Sequence, residues 1–163
     1  MGIVNREWIS SIWQGVENGH TIEWAEFEWF ALDRQDSIGL LTSAGPGPVP
    51  RSVFRDMEKY INVVEFFAQL PRKDGIEILG KPSVGIADWW EAAERGLYGF
   101  DFQRDKQGPT GYRMIARPND ILRVEELPGW VREWLEQIRL EQVVFADSGT
   151  GSLDLSGTGL EWL

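Results

Sequence analysis

Nine of the 163 residues are tryptophan and none is cysteine. Together these counts constrain the fold more than any other feature of the chain. Each indole brings a large apolar area and one N–H that needs an acceptor when buried. Nine of them call for an ordered core and argue against a disordered chain. Without cysteine that core has no disulfides, and thiolate nucleophiles and Cys-ligated metals are excluded. The length suits a single domain spanning residues 1–163, which can bury roughly 70% of its unfolded surface without staples.

Apolar periodicity places the helices. Asn5 can cap a helix to about Val16, with Trp8, Ile9, Ile12, Trp13 and Val16 on one face and Asn18-Gly19 as its stop. Ser52 can cap a second helix to about Gln69, striped by Val53, Met57, Tyr60, Ile61, Val64 and Phe67 and ended by Leu70-Pro71. Ser83 can cap a third, with Ile86, Trp89, Trp90 and Ala93 inward and Gly96 at its end. Pro128-Gly129 opens a fourth along Val131, Trp134, Leu135 and Ile138. Most of the tryptophans on these stripes, Trp8, Trp13, Trp89 and Trp134, are expected in the core.

Alternation places the strands. Glu26 to Asp33 turns Phe27, Trp29 and Ala31 one way and Glu28, Phe30 and Leu32 the other. A turn at Asp33 to Asp36 returns the chain through Ile38 to Thr42. The stretch Ser43 to Pro50 holds three prolines and two glycines and must be a shaped loop. Arg72 to Lys81 is expected to be loop, with a short extended piece at Ile76 to Leu79. Leu97 to Gln103 sets Tyr98, Phe100 and Phe102 against Gly99, Asp101 and Gln103. A turn at Gln107 to Gly111 leads into Tyr112 to Arg117, with Tyr112, Met114 and Ala116 on one face. Ile121 to Val124 and Val143 to Phe145 read as short strands, and the Gly- and Ser-rich tail as a hairpin or ordered coil. With no βαβ signature, the expected class is α+β: an antiparallel sheet with about four helices packed on it.

The formal net charge is −10, from 26 acidic and 16 basic side chains. Such a field repels nucleic acid and anionic lipid and attracts basic partners, and it also keeps a protein soluble. Met1 to Asn18 has neither the cationic start nor the apolar core of a signal peptide, and no window reaches 18 apolar residues. The expected location is the cytoplasm. The charge is uneven. Glu17 to Asp36 carries six acids against Arg34 alone, and Asp88 to Asp105 carries five against Arg95 and Arg104. If the two segments lie side by side they form one negative patch. Glu23, Glu26, Glu28, Asp33, Asp36 and Asp101 are its candidate partner-binding residues.

No catalytic, cofactor or metal residues emerge. The single histidine, His20, sits in a turn without the flanking pattern of a triad. One His and no Cys cannot supply a structural zinc site. Asp33-x-x-Asp36 lacks the further oxygens a calcium ion needs and reads as an Asx-type turn with solvated carboxylates. Gly45-Pro46-Gly47-Pro48 lacks the N–H groups and following Lys of a phosphate loop, although Arg51 and Arg55 could meet an anion at the next helix.

Trp29 to Pro50, WFALDRQDSIGLLTSAGPGPVP, resembles a group of small acidic bacterial proteins, as do Gly96 to Asp101, GLYGFD, and Leu127-Pro128. Proteins of this sort are similar to immunity proteins of interbacterial toxin systems. The resemblance implies an inhibitor that occludes a cognate toxin, a nuclease being one basic kind, and it assigns no functional positions. The alternatives are a regulatory module that binds a peptide or small ligand through a Trp-rich surface, and a carboxylate-dependent hydrolase.

Overall fold

The computed structural model describes residues 4–81, 88–104 and 110–163. Its elements run α1 (Arg6–Glu17), β1 (Glu28–Asp33), β2 (Ile38–Thr42), α2 (Met57–Gln69), β3 (Ile76–Ile78), α3 (Asp88–Glu94), β4 (Tyr98–Gln103), β5 (Gly111–Pro118), α4 (Gly129–Glu136) and β6 (Arg139–Leu140). Asn5 caps α1 as expected, its side chain accepting from the Trp8 N–H at 3.1 Å. The start of α2 differs from expectation. Arg51–Arg55 forms a 3₁₀ turn after Pro50, the chain extends at Asp56, and the Asp56 carboxylate caps α2 by accepting from the Lys59 N–H at 3.0 Å. The expected Ser83 cap, the Ile86 contact and most of the turn at Gln107 to Gly111 lie outside the described residues. Among the described residues no helix is long and apolar enough to cross a membrane.

The class is α+β, but the six-stranded sheet is mixed and not antiparallel throughout. Its order is β3-β5-β4-β2-β1-β6. β1 and β2 form an antiparallel hairpin, and β4 pairs antiparallel with β5, which in turn pairs antiparallel with β3. At the centre β2 lies parallel to β4, and at one edge β1 lies parallel to β6. The chain leaves β2, passes through α2, β3 and α3, and re-enters β4 at the end of the sheet where β2 began. A crossover of that length delivers a parallel neighbour, which a tight hairpin cannot do. β6 is the pair Arg139–Leu140, directly after α4. The expected strands at Ile121 to Val124 and Val143 to Phe145 are instead irregular chain ending in 3₁₀ turns at Val124–Glu126 and Phe145–Asp147.

The two faces of the sheet are covered differently. On one, Phe30 stacks on Phe67 of α2 with centroids 4.6 Å apart, and Trp89 of α3 presses onto Gly99. A Cβ at Gly99 would stand 2.8 Å from the Trp89 Cβ and 3.0 Å from its carbonyl oxygen. On the other face the C-terminal coil supplies the cover. Phe145 packs on Phe100 at 4.9 Å, Trp162 meets Trp29 edge-on at 6.1 Å, and the Leu153 N–H donates to Tyr112 O at 2.8 Å. Glycine at 39 makes room for the Phe145 ring, which would lie 2.9 Å from a Cβ there. With both faces covered, every residue of β2 is buried.

Two expectations about orientation fail for identifiable reasons. The β4–β5 register shifts beside Gly99, which pairs with Ala116 while Phe100 pairs with Met114. Ile115 is therefore an extra residue, and the bulge turns Ala116 away from the Tyr112–Met114 face and onto Trp89 and Ala93. Trp13, Trp29, Trp89 and Trp134 are core, whereas Trp8 and Trp90 are exposed. Neighbours on a helix point about 100° apart, so Trp89 and Trp90 cannot both face the sheet.

Gly99→Ala is expected to lower stability by about 1–3 kcal/mol, because α3 has to move off β4 to admit the methyl group. Urea unfolding checks this. An unchanged midpoint would show that the Trp89 contact yields without cost.

Candidate functional site

Strand register sets out the site. Glu28 of β1 pairs with Thr42 of β2, Thr42 with Asp101 of β4, and Asp101 with Arg113 of β5. One row thus crosses four strands on the face that carries α2 and α3. Thr42 is its buried centre: its hydroxyl accepts from Trp89 Nε1 at 3.1 Å and donates to Asp101 Oδ1 at 3.0 Å. Trp89 Nε1 also donates to Phe100 O at 2.9 Å. These bonds hold α3 down and bring Asp88, its first residue, towards Glu28.

A cleft of about 430 Å³ opens over this row. Trp8 and Ile9 of α1 and Val64 of α2 form its apolar walls, and Glu26, Glu28 and Asp88 supply its charge. Tyr60 fixes the backbone at Glu28 by donating its hydroxyl to Glu28 O at 2.9 Å. Burial, reinforced by the charge of Asp88, pushes the Glu28 carboxyl up to about 7. Burial also raises the Glu26 carboxyl, with Asp101 and Asp88 adding to it. The buried Tyr60 hydroxyl is raised by the same desolvation and by Glu28.

A second depression, about 550 Å³, adjoins the first across Glu26. Its rim carries Glu23 and Trp24, which is 62% exposed, and its floor is the turn from Ala44 to Pro46. The glycine- and proline-rich loop is rigid, as its composition implies. Tyr112 donates its hydroxyl to Pro48 O at 2.9 Å, while Ser43 Oγ accepts from the Phe27 N–H at 3.0 Å and donates to Ala25 O at 3.1 Å. Ala44 has φ 45° and Gly45 φ 91°, where a Cβ would meet Glu23 O at 2.7 Å. The loop and the acidic segment 23–28 are thereby locked together.

The six acids chosen from sequence divide into two groups. Glu23, Glu26 and Glu28 border the two depressions. Asp101 lies beneath them, fully buried and engaged with Thr42. Asp33 and Asp36 are at the far end of β1, about 17 Å from Glu28 by the rise of a strand. Asp33 is not the solvated turn residue expected. It is fully buried, and its carboxylate accepts from the Gln35, Ser37 and Phe145 N–H groups at 2.9, 2.8 and 2.7 Å. Asp36, at φ 63°, is paired with Arg139 at 2.7 Å. Neither contributes to the cleft. Asp88 does contribute and was visible in the sequence only as part of the second acidic segment. The one signal for its role was the condition that the two segments meet, and the parallel pairing of β2 with β4 makes them meet.

His20 is exposed beyond the end of α1. Arg55 donates to Gln137 Oε1 at 3.4 Å. Among the described residues no group of three or more His, Asp or Glu is arranged to hold a metal ion. No family model matches the chain, and neither a curated protein nor a solved structure matches it.

The Glu28 carboxyl is raised above its ordinary value of 4.5. Its contribution to stability is therefore complete below about pH 4.5 and is lost as the pH rises through about 7. Glu28→Gln is expected to be more stable than the parent at pH 8 by about 1–2 kcal/mol, solvent screening through the open cleft included, and equally stable near pH 4. Thermal unfolding across that range checks it. A pH-independent difference would mean that the cost of ionising the buried Glu28 carboxyl is not what the substitution relieves.

Proposed function

We propose that this protein is a binding protein that occludes a basic protein partner, an inhibitor of the immunity type acting on a cognate toxin in the cytoplasm, and not an enzyme. One observation carries the reading. Glu26, Glu28 and Asp88 converge from two separate elements on a cleft rimmed by exposed indole. Burial and like charge raise the Glu28 and Glu26 carboxyls, which favours the approach of a cationic partner. Trp8 and Trp24 offer the large, rigid apolar contacts that dominate interfaces. The net charge of −10 steers a basic partner towards this side of the molecule. Occlusion requires a rigid surface of about 800 Å² and no reactive group. A nuclease, whose active site is basic because it grips phosphate, is one partner with that chemistry.

A second reading rests on the same cleft. A carboxyl raised to about 7 beside a second acid is the pairing a carboxylate hydrolase uses. Among the described lining residues the Asn5 side-chain oxygen and the Thr42 and Tyr60 hydroxyls are already bonded within the fold, and the binding reading is the stronger.

Glu26→Lys is expected to lower affinity for the partner at least tenfold, chiefly through the association rate, and to weaken the salt dependence. Glu141→Lys, an exposed charge on the chain after β6, is expected to change neither. Association kinetics with products of adjacent reading frames, at low and high salt, check this. Equal effects of both substitutions would leave only net charge at work and remove the cleft from the account.

A further inference from the structure

Asn18-Gly19, the stop of α1, carries a reactivity that the binding reading does not use. It is the one Asn-Gly pair in the chain; Asn5, Asn62 and Asn119 are followed by Arg6, Val63 and Asp120. The carboxamide of an asparagine is open to attack by the main-chain nitrogen of the next residue. Glycine, with no Cβ, leaves that approach unhindered. Asn18 and Gly19 are both exposed, so water and hydroxide reach them. A Cβ at Gly19 would meet no described atom within 4 Å.

The fold adds a restraint at this pair. Gly19 has φ 78° and ends α1 in a Schellman turn. Its N–H donates to Val16 O at 3.0 Å, and the His20 N–H donates to Gly15 O at 2.9 Å. The attacking nitrogen is therefore engaged while the turn is formed, and it comes free when the helix end frays. That end is weakly held. The last turn of α1 contains Glu17 and no basic residue, although the negative end of the helix dipole favours a cation there.

We propose that Asn18 is a site of spontaneous deamidation and that the Schellman turn at the end of α1 sets its rate. With the turn open, hydroxide takes the Gly19 N–H proton and the nitrogen attacks Asn18 Cγ. The N–Cγ bond forms and the Cγ–Nδ2 bond breaks. The leaving nitrogen takes a proton from water, departs as ammonia and returns the hydroxide. Water then opens the resulting five-membered succinimide at one of its two carbonyls. Opening at Cγ gives aspartate at position 18. Opening at the main-chain carbonyl gives isoaspartate, with one more methylene in the main chain. Either product sets a new negative charge beside Glu17 at the unfavourable end of the dipole. The added methylene also draws Gly19 and His20 out of register with Val16 and Gly15. Modification thus loosens the end of the helix that holds Trp13 against Phe54 and Tyr60.

The full chain tests this, folded and unfolded in guanidinium chloride at the same mildly alkaline pH. Peptide mapping by mass spectrometry follows the change from amide to acid at each asparagine and separates aspartate from isoaspartate. The first product is expected at Asn18, as a mixture of the two, forming at least tenfold faster in the unfolded chain than in the folded one. Asn18→Gln should abolish it, because the larger ring closes much more slowly. Glu17→Lys places a cation at the helix end and should slow the reaction of the folded chain about two- to fivefold, with no change in guanidinium chloride. Earlier modification of Asn5, Asn62 or Asn119 overturns the site. So does a folded chain still intact at Asn18 after about a hundred half-times of the unfolded reaction. Equal rates in the folded and unfolded chains, or a Glu17→Lys effect that persists in guanidinium chloride, overturns control by the turn.

Discussion

The hydroxyl of Thr42 holds the centre of the molecule together. It sits where the parallel β2–β4 junction meets α3, accepts from Trp89 Nε1 and donates to Asp101. Trp89 Nε1 also donates to Phe100 O, so β2, β4 and α3 meet in one small hydrogen-bonded cluster. The junction needs such a bond because its two strands are joined by a crossover of more than fifty residues, which imposes no register of its own. Burial of the indole on Gly99 brings the helix close, and the polar bond sets where along the strand it stops. The position of Asp88, and therefore the third acid of the cleft, follows from that stop.

The two ends of β1 show what a carboxylate does when the fold supplies donors and when it does not. At Asp33 three backbone N–H groups converge, one of them from Phe145, more than a hundred residues away. The carboxylate becomes a strut that ties the hairpin turn to the C-terminal coil, and Arg139 reinforces it by bonding Asp33 O, Asp36 and Glu136. At Glu28 no donor arrives from the described residues. Burial raises its carboxyl instead, at a cost to the fold once it ionises.

Much of the local structure was legible. The apolar stripe and Asn5 cap of α1, the hairpin of β1 and β2, and the alternation of β4 follow from patterns that packing did not override. The start of α2 was misplaced because Asp56 caps better than a serine lodged in a 3₁₀ turn just after a proline. Ala116 was set on the wrong face because a bulge shifts every side chain beyond it, and nothing in the sequence of β5 announces one. Three of the six candidate acids lie at the depressions, since charge counting finds acidic segments. It cannot tell a carboxylate on the surface from one folded inward onto backbone donors, as at Asp33 and Asp101.

The sequence by itself determined the α+β class, the helical stripes, the need for a large aromatic core and an acidic character concentrated in two segments. These depend on composition and on periods of two and 3.6 residues, which neighbouring residues express without help. Tertiary structure alone decided that β2 and β4 run parallel, that Trp8 and Trp24 lie at the surface, and that Asp88 meets Glu28. Each of these joins residues far apart in the chain. The energy that selects such contacts lies in packing and buried hydrogen bonds between elements, and no local pattern records it.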